Sequence, residues 1–266
     1  MKSFSTGCLI VGALCLAGQS QASILFSEAF DYAPGALGGA VNPGGGTWTG
    51  GNSGLTVVGG NLTYAGLADQ GGNELQIANG SAGSIYNLFA NQTSGQIFYS
   101  FLFNATATNS GNNYFTAMNP GTAAPNGGSD AIDAYYYANG QIRVRGNAQS
   151  AQAGTGPVLN LGQTYLIVEM IDLDAHTASL WVNPDASSFG GSAPTATATL
   201  TGLTATAIDD VGFKAQSAAG GPFLVDNLLI GTTWGDVTPA AVPEPSSLAL
   251  GGLSLLSLLL ARRDRK

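Results

Sequence analysis

The chain has 266 residues, only 9% of them charged, with a formal net charge of −8 and a mean hydropathy of +0.17. Nucleic acid and anionic lipid surfaces are disfavoured as partners, because both need a basic face to neutralise phosphate, and no nucleic acid is expected. The two cysteines, Cys8 and Cys15, stand near the N-terminus, so the rest of the chain has neither a disulfide framework nor a thiolate metal site.

Lys2, an apolar run over residues 8–17 and the small-residue site Ser20-Gln21-Ala22 make residues 1–22 an expected signal peptide, cut after Ala22 by signal peptidase. Residues 23–241 then form one expected domain. From Glu28 to Asp236 there are fourteen acidic residues against Arg143, Arg145 and Lys214, a net of −11. Gly, Ala, Thr, Asn and Ser dominate, and no stretch keeps a 3.6-residue apolar period for three turns. Short runs of Val, Ile, Tyr, Phe and Thr recur between Gly and Asn instead. That pattern predicts an all-β fold, an antiparallel jelly-roll sandwich.

Three hairpins follow from turn chemistry. The first joins residues 55–58 to residues 61–64 through Gly59-Gly60, which places Leu55, Val57, Leu62 and Tyr64 on one face. The second runs through residues 131–137, turns at Asn139-Gly140 and returns through residues 141–145. Its two-residue turn sets Tyr137 against Ile142 and Tyr135 against Val144, leaving Tyr136 across from Arg143 with Arg145 beside them. An aromatic ring next to two guanidinium forks is chemistry suited to a sugar ring and its hydroxyls or carboxylates, so Tyr136, Arg143 and Arg145 are candidate glycan contacts. A slip of one residue would exchange the two faces.

The third hairpin carries the longest strand, residues 165–173, which turns near Ala175-His176 and returns through residues 177–182, with most of its body buried on both faces. Asp172 and Asp174 share a face, roughly 6.6 Å apart along a strand, a separation near that of the carboxyl pair in inverting glycosidases. Both flank a hairpin tip, where water keeps carboxylates ionised and unsuited to general acid work. His176 is the only histidine, and there is no Gly-x-Ser-x-Gly elbow, phosphate loop or dinucleotide fingerprint, so no catalytic set is assembled.

The C-terminus has a distinct order of parts. Pro243-Glu244-Pro245 imposes an extended strip, residues 248–261 form an apolar run of 14, and Arg262, Arg263, Arg265 and Lys266 supply a basic end. A 14-residue helix spans roughly 21 Å at about 1.5 Å per residue, short of the roughly 30 Å hydrocarbon core, so it suits a transient anchor. The basic end holds that terminus on the cytoplasmic side and points the domain outward.

Residues 242–266 resemble the PEP-CTERM sorting signal read by exosortase, a membrane transpeptidase of Gram-negative bacteria that make extracellular polysaccharide. The resemblance implies that Pro243, Glu244 and Pro245 are the recognition motif, residues 248–261 the membrane helix and residues 262–266 the stop signal. The body resembles exported jelly-roll domains related to laminin-G and concanavalin-type sandwiches, on three segments: Phe26-Ser27-Glu28-Ala29-Phe30-Asp31-Tyr32, Leu180-Trp181-Val182-Asn183-Pro184, and Val225-Asp226-Asn227-Leu228-Leu229-Ile230-Gly231 followed by Trp234. It implies a structural Ca²⁺ shared by acids on the first and last strands, here Glu28 and Asp226.

These readings give an exported, non-catalytic surface or matrix protein associated with exopolysaccharide. A glycan hydrolase or lyase using Asp172 and Asp174, and a purely structural coat protein, are the alternatives.

Overall fold

The computed structural model describes residues 24–78, 82–107, 111, 113–122, 124–126, 130–146, 151–152, 156–216 and 222–242. Its strands are β1 (Ile24–Glu28), β2 (Gly35–Ala36), β3 (Thr49–Gly51), β4 (Leu55–Val58), β5 (Glu74–Ile77), β6 (Ser84–Gln92), β7 (Gln96–Ala105) and β8 (Asn113–Asn119). They continue with β9 (Ile132–Tyr136), β10 (Ile142–Gly146), β11 (Ala151–Gln152), β12 (Thr164–Asp172), β13 (Thr177–Val182), β14 (Ala198–Thr201), β15 (Ile208–Lys214) and β16 (Phe223–Gly231). One short helix, α1 (Trp234–Val237), follows.

The strands form two antiparallel sheets. The nine-stranded sheet runs β14-β13-β12-β7-β16-β5-β4-β2, with β1 also paired to β16, and the seven-stranded sheet runs β11-β10-β9-β8-β15-β6-β3. Alternation along each strand sends one set of side chains into the space between the sheets. Tyr99, Phe101 and Phe103 of β7 and Ile167 and Ile171 of β12 meet Phe115, Tyr136, Val144 and Phe213 there.

β7 and β12 read as unbroken apolar runs because their other face is covered too. Phe98, Leu102, Leu166, Val168 and Met170 lie under a second core made by Leu62, Leu67, Phe189, Trp234 and Val237. Helix α1 belongs to this outer layer. Thr233 and Asp236 cap it reciprocally, an arrangement contributing about 1 kcal/mol, and the Trp234 indole donates to the Ser188 carbonyl at 3.0 Å. Among the described residues no helix is long and apolar enough to cross a membrane.

The antiparallel all-β expectation holds, and the third hairpin forms from the expected strands, but its loop has four residues, Leu173 to His176, so Asp172 stands opposite Thr177 and Ile171 opposite Ala178, whereas a two-residue turn at Ala175-His176 would set Asp174 opposite Thr177. The first hairpin does not form. β4 pairs with β5 and β2 instead, while residues 61–64 take no strand and carry Leu62 out over the nine-stranded sheet. Leu55 and Val57 are buried as their spacing requires, but Gly59-Gly60 leads the chain across a layer and does not turn it back.

A carboxyl interrupts the apolar run of β12. Glu169 of β12 sits opposite Tyr99 of β7 on the inward-facing row, fully buried, and neither carboxyl oxygen has a hydrogen-bond partner among the described residues. Burial pushes its pKa well above the ordinary range.

Candidate functional site

The second hairpin forms from the expected residues but closes differently. The Tyr137 N–H donates to the Gln141 carbonyl at 2.8 Å and the Gly140 N–H to the Tyr137 carbonyl at 2.9 Å, which makes a three-residue loop of Ala138, Asn139 and Gly140. Gly140 has φ +82°, the left-handed residue that such a loop needs after its type I turn. The extra loop residue shifts the pairing by one, so Ile142 faces Tyr136, Arg143 faces Tyr135 and Arg145 faces Asp133.

That shift reverses the expected faces. Tyr136 is not a surface residue. It is 1% exposed and packs in the core with its ring centroid 5.5 Å from that of Phe103 and 5.4 Å from that of Phe223. Tyr135 and Tyr137 take the outer face with the two arginines, and β8 adds Tyr114 directly opposite Tyr135. Sequence reasoning missed Tyr114 because nothing local announces the β8–β9 register, which contains a bulge between Tyr114 and Thr116.

The result is a slab of three tyrosines and two guanidinium groups on the outer face of the seven-stranded sheet. Tyr114 and Tyr135 stack at 6.3 Å and 27°, and Tyr135 and Tyr137 lie 4.8 Å apart. The Arg145 guanidinium lies 3.8 Å from the Tyr135 centroid and 5.6 Å from that of Tyr114, while that of Arg143 lies 4.1 Å from Tyr137. All three tyrosines and Arg143 are partly exposed, whereas Arg145 is buried.

The two arginines differ in what they can offer a ligand. Arg145 makes a two-bond fork with Asp133, at 2.8 and 2.6 Å, and both side chains are almost fully buried. Burial raises the Asp133 carboxyl to about 6 even though the arginine beside it acts in the opposite direction. Arg143 makes no ion pair among the described residues and donates to the Gln141 side chain at 2.9 Å. It is therefore the cation that a ligand can recruit, with Arg145 serving to hold Tyr135 flat.

The other sequence candidates fall elsewhere. Asp172 accepts the backbone N–H groups of Asp174 and Ala175 at 3.1 and 2.8 Å and the Gln96 amide at 3.0 Å, and Asp174 accepts the Gly95 N–H at 3.0 Å. The Ala175 bond leads in holding the Asp172 carboxyl below its ordinary pKa. These acids fasten two adjacent hairpin tips, with His176 in the left-handed conformation beside them.

Glu28 and Asp226 are not brought together as calcium ligands. Glu28 is buried on the core side, where it accepts from the Phe30 N–H, the Tyr32 hydroxyl, the Asn42 amide and the Trp48 indole at 2.6 to 2.8 Å. Asp226 lies under the outer layer, where it accepts the N–H groups of Leu62 and Asn227 at 2.8 and 2.7 Å, and burial raises it to about 8. An acid saturated by four donors on the core side and another that accepts two backbone N–H groups under the outer layer do not make a shared shell for a hard cation that needs six to eight oxygen ligands. Among the described residues no three His, Cys, Asp or Glu side chains form a group able to hold a metal ion.

The expected signal peptide and the tail residues Pro243, Glu244, Pro245, Arg262, Arg263, Arg265 and Lys266 lie outside the described residues. The described part is an antiparallel β-sandwich with an aromatic and arginine slab on one outer face. Residues 241–266 match a family model described as the PEP-CTERM protein-sorting motif. The motif implies an exported protein that is transiently anchored in the membrane and processed by exosortase.

No curated protein matches the sequence. Among solved structures, a Trypanosoma rangeli sialidase is 12% identical with a TM-score of 0.46 over 80% of this chain and 32% of its own. The T. cruzi calreticulin globular domain is 10% identical with a TM-score of 0.46 over 79% of this chain and 88% of its own. This chain spans about a third of the sialidase chains it matches.

Proposed function

We propose that this chain is a non-catalytic protein of the cell surface or extracellular matrix that associates with exopolysaccharide through Tyr114, Tyr135, Tyr137 and Arg143. The observation that carries the reading is the slab itself: three partly exposed phenol rings with neighbouring centroids 6.3 and 4.8 Å apart, and one guanidinium free of any carboxylate among the described residues. Sugar rings present apolar C–H faces that stack on aromatic rings, and their hydroxyls or carboxylates accept from arginine. The Arg145–Asp133 fork fixes the surface in advance, so little side-chain entropy is lost on binding.

With a single recruitable cation in the slab and a net charge of −11 on the domain, the slab favours neutral or sparsely acidic glycans over densely charged ones. The hydrolase alternative finds no support in Asp172 and Asp174, whose oxygens are engaged at loop tips. A glycan array probed with the intact chain and with Tyr137→Ala tests the reading. Binding that falls at least tenfold in the variant supports it, and an array on which the intact chain binds nothing overturns it.

A further inference from the structure

The last described residues are tied down more firmly than a linker would be. The Ala68 N–H donates to the Pro239 carbonyl at 2.8 Å and the Ala241 N–H to the Gly66 carbonyl at 2.9 Å, with Leu67 and Ala240 forming an antiparallel bridge between these bonds. One step earlier, the Gly190 N–H donates to the Thr238 carbonyl at 2.7 Å and Thr238 is fully buried. The side chains continue the attachment, since Leu67 and Val237 both belong to the outer core over the nine-stranded sheet.

This clasp reaches into the sorting motif, whose match begins at residue 241. Only Val242, 86% exposed, separates the last clasped residue from Pro243. Two residues of extended chain reach at most about 7 Å, so little slack follows the clasp before the motif. An enzyme that reads an extended Pro-Glu-Pro strip seats the flanking residues as extended backbone and pairs with their N–H and C=O groups. On the N-terminal side one edge of that strip, the Pro239 carbonyl and the Ala241 N–H, is already bonded to Ala68 and Gly66.

We propose that the sandwich gates its own sorting signal: the clasp of residues 239–241 on residues 66–68 must open before exosortase can seat the chain ahead of Pro243. Opening costs the two backbone hydrogen bonds that make the bridge, while Thr238 and Val237 keep the fold closed behind it, so the release is local. The clasp lies over the nine-stranded sheet, on the side of the sandwich opposite the tyrosine slab. The gate therefore rests on the processing implied by the motif and is independent of glycan binding.

Leu67 and Ala240 form the non-hydrogen-bonded type of antiparallel pair, whose Cα atoms lie about 4.5 Å apart, within the range a disulfide spans. The variant Leu67→Cys with Ala240→Cys can thus lock the clasp, and the chain's own cysteines lie in the expected signal peptide. In cells carrying exosortase, pulse-chase of the full chain should show the oxidised variant processed at least tenfold more slowly than its reduced form. Eight Gly and Ser residues inserted between Val242 and Pro243 should restore the oxidised variant and speed processing of the native chain. Equal rates for oxidised and reduced forms, or an insertion that changes neither chain, would overturn the gate.

Discussion

Arg145 and Asp133 occupy directly opposed positions on β10 and β9 and close a two-bond fork at 2.8 and 2.6 Å, both nearly inaccessible to water. The same guanidinium lies over the Tyr135 ring, 3.8 Å from its centroid, so one ion pair connects the hairpin's stability to the shape of the slab. Removing one partner leaves the other charge buried and unmatched, a loss of about 3–5 kcal/mol. Arg145→Leu should therefore lower the denaturant midpoint by that equivalent, whereas Arg143→Ala should stay within about 1 kcal/mol of the native chain. Equal losses for the two would contradict the division of roles between them.

Glu169 gives a prediction of opposite sign. An unsatisfied buried polar group costs about 1–3 kcal/mol, and Met has a similar volume with no such demand. Glu169→Met should raise stability by that order in equilibrium unfolding. A destabilised variant would show that the carboxyl has a partner worth more than its burial costs.

The pH dependence follows from Asp226. Burial holds it near 8 in the folded chain, against an ordinary carboxyl value of about 3.9 when unfolded. The folded state then binds its proton more tightly than the unfolded state, so this contribution is complete below about pH 4 and is lost as pH rises through about 8. Asp133, near 6 in the folded chain, and Glu169, raised by burial, act in the same direction. The thermal midpoint should fall between pH 5 and pH 9, and Asp226→Asn should flatten part of that slope. A midpoint that rises over this interval would contradict the assignment.

How far the sequence speaks depends on whether the deciding contact is local. The third hairpin was legible in its strands and faces because its long apolar strand, its turn and its return strand all lie within residues 164–182, and its four-residue loop moves the pairing by two, which keeps the faces. The second hairpin was legible in its strands but not in its faces. Asn139-Gly140 suits a two-residue turn, yet Gly140 takes the left-handed position of a three-residue loop, and that one residue moves Tyr136 into the core and Tyr135 out of it.

The first hairpin failed for a longer-range reason. Leu62 finds a second core and the Asp226 carboxylate more than 160 residues away, and no property of Gly59-Gly60 reports either. The three segments that suggested the sandwich do mark structural devices. Glu28 gathers four donors, Trp181 and Trp234 pack 5.1 Å apart, and Asn227 takes a left-handed conformation inside a bulge of β16. They describe how the fold is closed, and the tyrosine slab lies outside all of them.

Cosedimentation of the full chain with the exopolysaccharide of its producing cells tests the functional reading most directly, using the native chain beside a Tyr137→Ala, Arg143→Ala double variant. These two side chains are partly exposed and sit outside the core, so the variant should keep its fold, as circular dichroism can check. The native chain should sediment with the polymer and the variant at least tenfold less. Equal recovery of the two, or no recovery of either, would contradict the assignment of the slab as the glycan contact.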